Sequence, residues 1–281
     1  MKTDNKTFKI STYNIEFSQR HDKILRNIKL IVKDGVSIFC LQEVSKRSNR
    51  PFIIEEIMRK LGSNWNAIYH IGNENNELGI GNGILWNKQV MKLQSSEQFQ
   101  LPMNNSIAPH EWIFAKLTGG KVIPYKRRVI IGLFKFNNSL IRISSIHLDH
   151  TGGIIQRQKQ LLYFVKKLKR QQNTHHEIIC GDFNSIDLLR RNKELQVFQA
   201  TLGADFQDAT KENGWTADLY NMDTSKAPSW SKFFIDRLNI HIRRKLDYIW
   251  VKGMHTFSSK KMELEGSDHF PLVAHLSINS N

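Results

Sequence analysis

The sequence predicts an α/β fold of the α+β kind, rich in β-structure, and three observations carry that prediction. Short apolar runs of strand length alternate with segments whose apolar residues recur at helical spacing. Some runs, such as "VSIFCLQEV", are apolar almost throughout, as in a strand buried on both faces. The 281 residues are 40% hydrophobic with only six prolines, enough for a large core, and contain no repeat, low-complexity tract or clear linker. One domain over residues 1–281 is expected.

Taken in order, Phe8 to Phe17 alternate like a strand. Ile24, Ile28, Ile31 and Val32 then stand at helical spacing up to Gly35. "VSIFCLQEV" is the next strand, and "PFIIEEIMRKLG" a helix with Pro51 in its first turn. Strand-like pieces lie around Ala67 to Ile71 and Gly83 to Trp86. "RRVIIGLFKF" and "LIRISSIHL" read as a hairpin joined by Asn137-Asn138-Ser139. Residues 154–170 form a basic helix, with Leu161, Leu162, Phe164, Val165 and Leu168 facing the core. "EIICGDFN" is a buried strand, a helix lies within 188–202, and "KLDYIWV" and "PLVAHLSI" are the last strands. Between Gly203 and Lys245 the pattern is irregular.

Lysine and arginine outnumber acids 41 to 26, a net charge of +15, which favours a polyanionic partner: nucleic acid, an anionic membrane surface or a phosphorylated molecule. No apolar run approaches membrane-spanning length, and the start "MKTDNKTFKI" lacks the apolar stretch of an export signal, so a soluble cytoplasmic protein is expected. Cys40 and Cys180, each ending an apolar run, read as buried reduced thiols.

Polar residues recur where apolar strands run out. Asn14, Glu43, His147, Asp182 with Asn184, Asp247, and Asp268 with His269 all occupy such places. Carboxylates there are costly unless a metal or a donor neutralises them. For single residues a plainer reading stands beside this one: an Asx turn for Asp182 and Asn184, a core position for His147. The set is rich in carboxylate and amide oxygens and has no cysteine cluster, which favours Mg²⁺ or Mn²⁺ over zinc. No G-x-S-x-G elbow, P-loop or kinase signature is present. Metal-assisted attack of water on a phosphoester fits these residue types.

The ordered series "TYN" (12–14), "LQE" (41–43), "IHLDH" (146–150), "GDFN" (181–184), "LDYI" (246–249) and "SDHFP" (267–271) resembles the endonuclease/exonuclease/phosphatase superfamily, which includes DNase I, exonuclease III-type enzymes, tyrosyl-DNA phosphodiesterase 2 and neutral sphingomyelinases. The resemblance implies a four-layer sandwich, two face-to-face mixed β-sheets flanked by helices. It implies Glu43 as the principal Mg²⁺ ligand with Asn14 and Asp268 in or beside the metal shell. Asp182, helped by Asn184, would orient and deprotonate the attacking water. His269, held by Asp247, would contact the scissile phosphate, and His147 would touch a non-bridging oxygen. Asp149 and Arg128 are left outside this set.

Positive clusters at 125–128, 157–170 and 237–245 favour a nucleic-acid substrate, DNA more than RNA, handled by a monomer. Trp230, Phe233 and Phe234, just before the last cluster, could stack on bases. The alternatives are a lipid or inositol phosphoester with an anionic headgroup, and a catalytically silent nucleic-acid-binding protein.

Overall fold

The computed structural model describes residues 7–46, 51–71, 79–103, 126–171, 173–185, 193–218 and 243–278. Its strands are β1 (Thr7–Asn14), β2 (Val36–Lys46), β3 (Trp65–Ile71), β4 (Gly79–Asn87), β5 (Lys92–Gln100), β6 (Arg128–Phe136) and β7 (Ser139–His147). They continue as β8 (His176–Asp182), β9 (Gln207–Asp208), β10 (Ala217–Asp218), β11 (Arg243–Arg244), β12 (Asp247–Lys252), β13 (Met254–Lys261) and β14 (Leu272–Ile278). The α-helices among the described residues are α1 (His21–Lys33), α2 (Ile53–Leu61), α3 (Gly153–Leu168) and α4 (Lys193–Leu202).

Two six-stranded mixed sheets result, in the orders β13-β14-β1-β2-β4-β3 and β5-β6-β7-β8-β12-β9, with β10 and β11 as a separate small ladder. Side-chain alternation explains how they stack. On β2, Ile38 and Cys40 join a core that also holds Ile143, Ile178 and Cys180 of the second sheet, while Phe39 and Leu41 meet Ile24 and Ile28 of α1 and Ile54 of α2. On β8, Ile178 and Cys180 face the first sheet, and Ile179 packs with Leu161 and Phe164 of α3 and Phe198 of α4. A strand apolar on both faces is what a four-layer helix–sheet–sheet–helix sandwich requires, and this is the architecture expected from the sequence. The two cysteines are buried and free.

Four local readings are corrected. The first strand ends at Asn14 rather than Phe17, because Glu16, Phe17 and Ser18 have φ of 45, 51 and 55° and coil into a short left-handed turn. Leu162 on α3 is 51% exposed rather than in the core, since the buried face runs through Leu161, Phe164 and Leu168. The irregular stretch before Lys245 contains β9, β10 and β11. The hairpin turn is tighter than read: Phe136 pairs with Ser139, leaving Asn137 and Asn138 as its two residues. Among the described residues no helix is long and apolar enough to cross a membrane.

Candidate active site

The topology brings the strand ends together. β1 and β2 run parallel, as do β7 and β8, so Asn14, Glu43, His147 and Asp182 emerge at one end of the sandwich. Register does the rest. His147 lies beside Asp182 across β7–β8, and Asp247, at the start of antiparallel β12, lies beside Asp182 on its other side. The loop carrying Asp268 and His269 enters β14, whose first residue Leu272 pairs with Thr12 on β1.

Local backbone conformations aim the side chains. Between Leu41–Gly83 and Val44–Gly81 the β2–β4 ladder carries an extra residue on β2, and Glu43 sits in this bulge with φ 57°. A bulge re-aims a side chain that regular alternation would send elsewhere. Gly181 (φ 154°) precedes Asp182, and a Cβ there would lie 1.8 Å from the carbonyl oxygen of Ile146, so β7 and β8 can close together only around a glycine. The Ser267 hydroxyl donates to the Asn14 carbonyl at 2.8 Å and accepts from the His269 N–H at 3.1 Å. That clamp fixes the turn before β14 to the end of β1.

Asp182, only 1% exposed, is the hub. Its Oδ2 accepts from Asn14 Nδ2 at 3.0 Å and lies 3.4 Å from His147 Nε2 and 3.7 Å from His269 Nε2. Its Oδ1 accepts the Asn184 backbone N–H at 2.8 Å, and Asn184 Nδ2 donates to the Leu148 carbonyl at 2.9 Å. The Asx turn considered from sequence is therefore present, and it orients Asp182. Burial pushes Asp182 up, as does Asp247, while His269 and the Asn184 and Asn14 donors pull it down, leaving it at about 6.

His269 Nδ1 lies 2.8 Å from Asp247 Oδ2, which also accepts from the Thr216 hydroxyl at 2.8 Å. Thr216 Oγ1 in turn accepts the N–H groups of Leu246 and Asp247 at 2.9 and 3.0 Å. Burial alone would lower the His269 pKa, but the Asp247, Asp268 and Asp182 carboxylates outweigh it and hold the ring well above its ordinary value. His147 behaves oppositely. Burial, Arg127, His150 and His269 all depress it well below its ordinary value, so the ring is neutral.

Glu43 approaches His147 Nε2 only to 4.0 Å. Burial first, and the neighbouring Asp268 after it, push its carboxyl up to about 8 against the pull of Arg127 and His269, so a cation bound beside it would favour its ionised form. Asn14 is partly spent, because its Oδ1 accepts from the Glu16 N–H at 3.1 Å while its amide nitrogen serves Asp182. One group among the described residues could hold a divalent cation: Asp182, Asp247 and His269, whose ligand atoms lie within 4.8 Å of one another. Within the trio Asp247 Oδ2 and His269 Nδ1 are already engaged with each other, while Asp247 Oδ1 is buried without a hydrogen-bond partner among the described residues.

Sequence reasoning missed two side chains here. Thr216 lay in the irregular stretch, with no signal beyond being a threonine. Arg127 carries no signal in the sequence beyond its place in a basic cluster, yet its Nη1 and Nη2 meet His147 Nδ1 at 2.9 Å and His150 Nδ1 at 3.1 Å. Arg128 instead opens β6, and its carbonyl accepts from Asn82. Asp149 caps the turn into α3 by accepting from the Thr151 hydroxyl and the Gly152 N–H. Of the basic clusters, Lys245 turns inward to Asp208 at 2.7 Å, and Arg157 is buried against Glu194 at 2.7 Å. Lys166, Lys169 and Arg170 on the α3 side are exposed. Trp230, Phe233, Phe234 and residues 237–242 lie outside the described residues.

A family model described as "Endonuclease/Exonuclease/phosphatase family" matches residues 11–269. No curated protein matches the chain. Among solved structures, an endonuclease/exonuclease/phosphatase from Bacteroides vulgatus superposes with a TM-score of 0.69 at 19% identity, covering 97% of this chain and 99% of that one. D. rerio TDP2 complexed with a single-strand DNA product gives 0.69 at 16% identity, covering 98% and 100%. The Bacteroides thetaiotaomicron mannosyl-6-phosphatase gives 0.66 at 17% identity, covering 96% and 100%. At these identities the likeness is one of fold.

Proposed function

The chain belongs to the endonuclease/exonuclease/phosphatase family, and from that premise we propose that it is a divalent-metal-dependent phosphoesterase, acting as one domain over residues 1–281, whose substrate is a phosphodiester in nucleic acid. The observation that carries the reading is the convergence on Asp182 Oδ2 of two imidazoles, His147 and His269, whose pKa values are shifted in opposite directions. A carboxylate with a pKa of about 6 suits a base that takes a proton from water near neutral pH. His269, held cationic by Asp247, offers Nε2–H to the phosphoryl oxygens, where negative charge grows as water attacks. His147 offers a second, uncharged contact from the β7 side. Asn184 and Asn14 keep Asp182 aimed. The phosphorus–oxygen bond to the leaving group breaks, the attacking oxygen stays on phosphorus, and the water proton moves to Asp182.

We assign the ion, Mg²⁺ or Mn²⁺, to Glu43 with Asp268 and Asn14 beside it, because Glu43 is a buried carboxyl next to Asp268 whose ionised form a cation would favour. Bound there, it would supply Lewis-acid stabilisation of charge on the phosphoryl group. The net charge of +15 supports a nucleic-acid substrate, and the TDP2 neighbour with its DNA product is consistent with one. The mannosyl-6-phosphatase neighbour makes a small phosphomonoester the competing choice.

One panel decides: the protein with Mg²⁺ or EDTA against plasmid, single-stranded oligonucleotide, 5′-phosphotyrosyl oligonucleotide, sphingomyelin, inositol phosphates and a mannosyl 6-phosphate. EDTA-sensitive cleavage of a nucleic-acid substrate is expected. Turnover confined to lipid, inositol or sugar phosphates would overturn the substrate class, and binding without turnover would overturn the enzyme.

A further inference from the structure

Arg127 sits at the entrance to β6, buried, with its carbonyl accepting from the Leu101 N–H at 2.8 Å. Its guanidinium reaches under the candidate site and meets two imidazoles, His147 Nδ1 through Nη1 and His150 Nδ1 through Nη2. An arginine nitrogen can only donate, and the guanidinium does not lose its proton in a protein. Each facing ring nitrogen must therefore be an acceptor carrying no hydrogen. A neutral imidazole whose Nδ1 is an acceptor bears its hydrogen on Nε2.

We propose that Arg127 is a positioning residue: it fixes His147 as the neutral tautomer with its hydrogen on Nε2, aimed at the Asp182–Glu43 edge where the phosphate would be read. The second imidazole, His150, steadies the guanidinium by accepting its other arm. The groups facing His147 are consistent with this. On the Nε2 side stand Asp182 Oδ2 at 3.4 Å and Glu43 Oε1 at 4.0 Å, both acceptors. On the Nδ1 side the described residues place a donor, Arg127 Nη1, at 2.9 Å. A cationic His147 would also place positive charge directly against Arg127 in a buried setting, which burial and Coulomb repulsion both oppose.

The contrast with His269 gives the device its meaning. There Nδ1 faces a carboxylate, Asp247, so Nδ1 carries a hydrogen. The chain thus gives one of the two converging imidazoles an arginine partner and the other an aspartate.

The catalytic consequence rests on the phosphoesterase reading; the tautomer does not. The intact protein labelled with ¹⁵N-histidine, observed by long-range ¹H–¹⁵N correlation and assigned with His147→Gln, reads the tautomer directly. His147 should show a protonated Nε2 and an unprotonated Nδ1. In Arg127→Met that pattern should give way to a tautomer mixture. On whichever phosphoester the protein turns over, kcat should fall about 10–100-fold with KM changed less than about threefold. Arg127→Lys, which keeps a donating cation, should recover part of both. A hydrogen on Nδ1 in the unsubstituted protein overturns the proposal, as does an unchanged Nε2–H tautomer in Arg127→Met. Should Arg127→Met not fold, the unsubstituted and Arg127→Lys spectra decide alone. Absence of turnover on every phosphoester would sink the functional reading and leave the spectra standing as the test of the tautomer.

Discussion

His147 and His269 reach the same oxygen from two sheets: their Nε2 atoms stand 3.4 and 3.7 Å from Asp182 Oδ2. His147 ends a strand of the second sheet, and His269 lies in the loop that enters β14 of the first. The two sheets must therefore be packed correctly before the site exists, which ties its chemistry to the sandwich core.

Asp247 is the residue that keeps His269 charged, through the 2.8 Å contact with Nδ1. Asp247→Asn removes that charge and leaves only Asp268 and Asp182 to oppose burial, so the ring's pKa falls. We expect kcat to drop about 10²–10⁴-fold, with the alkaline limb of the pH–rate profile moving to lower pH. An unchanged profile, with circular dichroism showing an intact fold, would remove His269 from the role given to it.

Thr216 binds Asp247 from below with one hydroxyl that donates once and accepts twice. Thr216→Val keeps the shape, removes one of the two donors to Asp247 Oδ2 and takes the side-chain acceptor away from two backbone N–H groups. Urea denaturation should show a loss of ~1–3 kcal/mol, and kcat should fall about tenfold. Thr216→Ser, which retains the hydroxyl, should stay near the unsubstituted protein in both measurements.

The site's acids predict how stability depends on pH without divalent ions. Glu43 is raised from 4.5 to about 8 and His269 is raised above 6.5, so both hold protons in the folded state that the unfolded chain releases. Their contribution is present at low pH and is lost as pH rises, Glu43's through about 8. His147 and His150 are lowered and act the other way, but only up to the unfolded value of 6.5. In EDTA, Tm should therefore fall between pH 6.5 and 8. A cation at Glu43 competes with the proton, so the rise in Tm on adding Mg²⁺ should be larger at pH 8 than at pH 5.5. Equal shifts at both pH values would move the ion away from Glu43.

Gly181 allows β7 and β8 to meet just before His147 and Asp182. An added Cβ would collide with the Ile146 carbonyl at 1.8 Å, and the φ of 154° is unfavourable for an L residue. Gly181→Ala should cost about 2–4 kcal/mol in urea denaturation and should lower kcat by separating the two strand ends. Wild-type stability would show that the strands part at no cost.

Much of this was legible in sequence because the central strands are apolar on both faces and end abruptly in polar residues. β1, β2, β7, β8, β12 and β14 could be read for that reason, and with them Asn14, Glu43, His147, Asp182, Asp247 and His269. β5 and β13 were not, since they form the sheet edges and are largely exposed, with sequences "KLQSSEQFQ" and "MHTFSSKK" that carry no apolar alternation. Polar edges guard against sheet-to-sheet pairing but erase the pattern that reveals a strand.

The sequence by itself determined an α/β chain rich in strands and the chemical types placed at the strand ends, because burial and periodicity act locally along the chain. The family resemblance implied Asp247 as the partner of His269, and only the tertiary structure decided that His147 receives Arg127. Arg127 is 20 residues from His147 and Asp247 is 22 from His269, and neither distance along the chain says which side chains meet. Pairing across sheets and loops set one ring beside a guanidinium and the other beside a carboxylate, and electrostatics at that range fixes their charge.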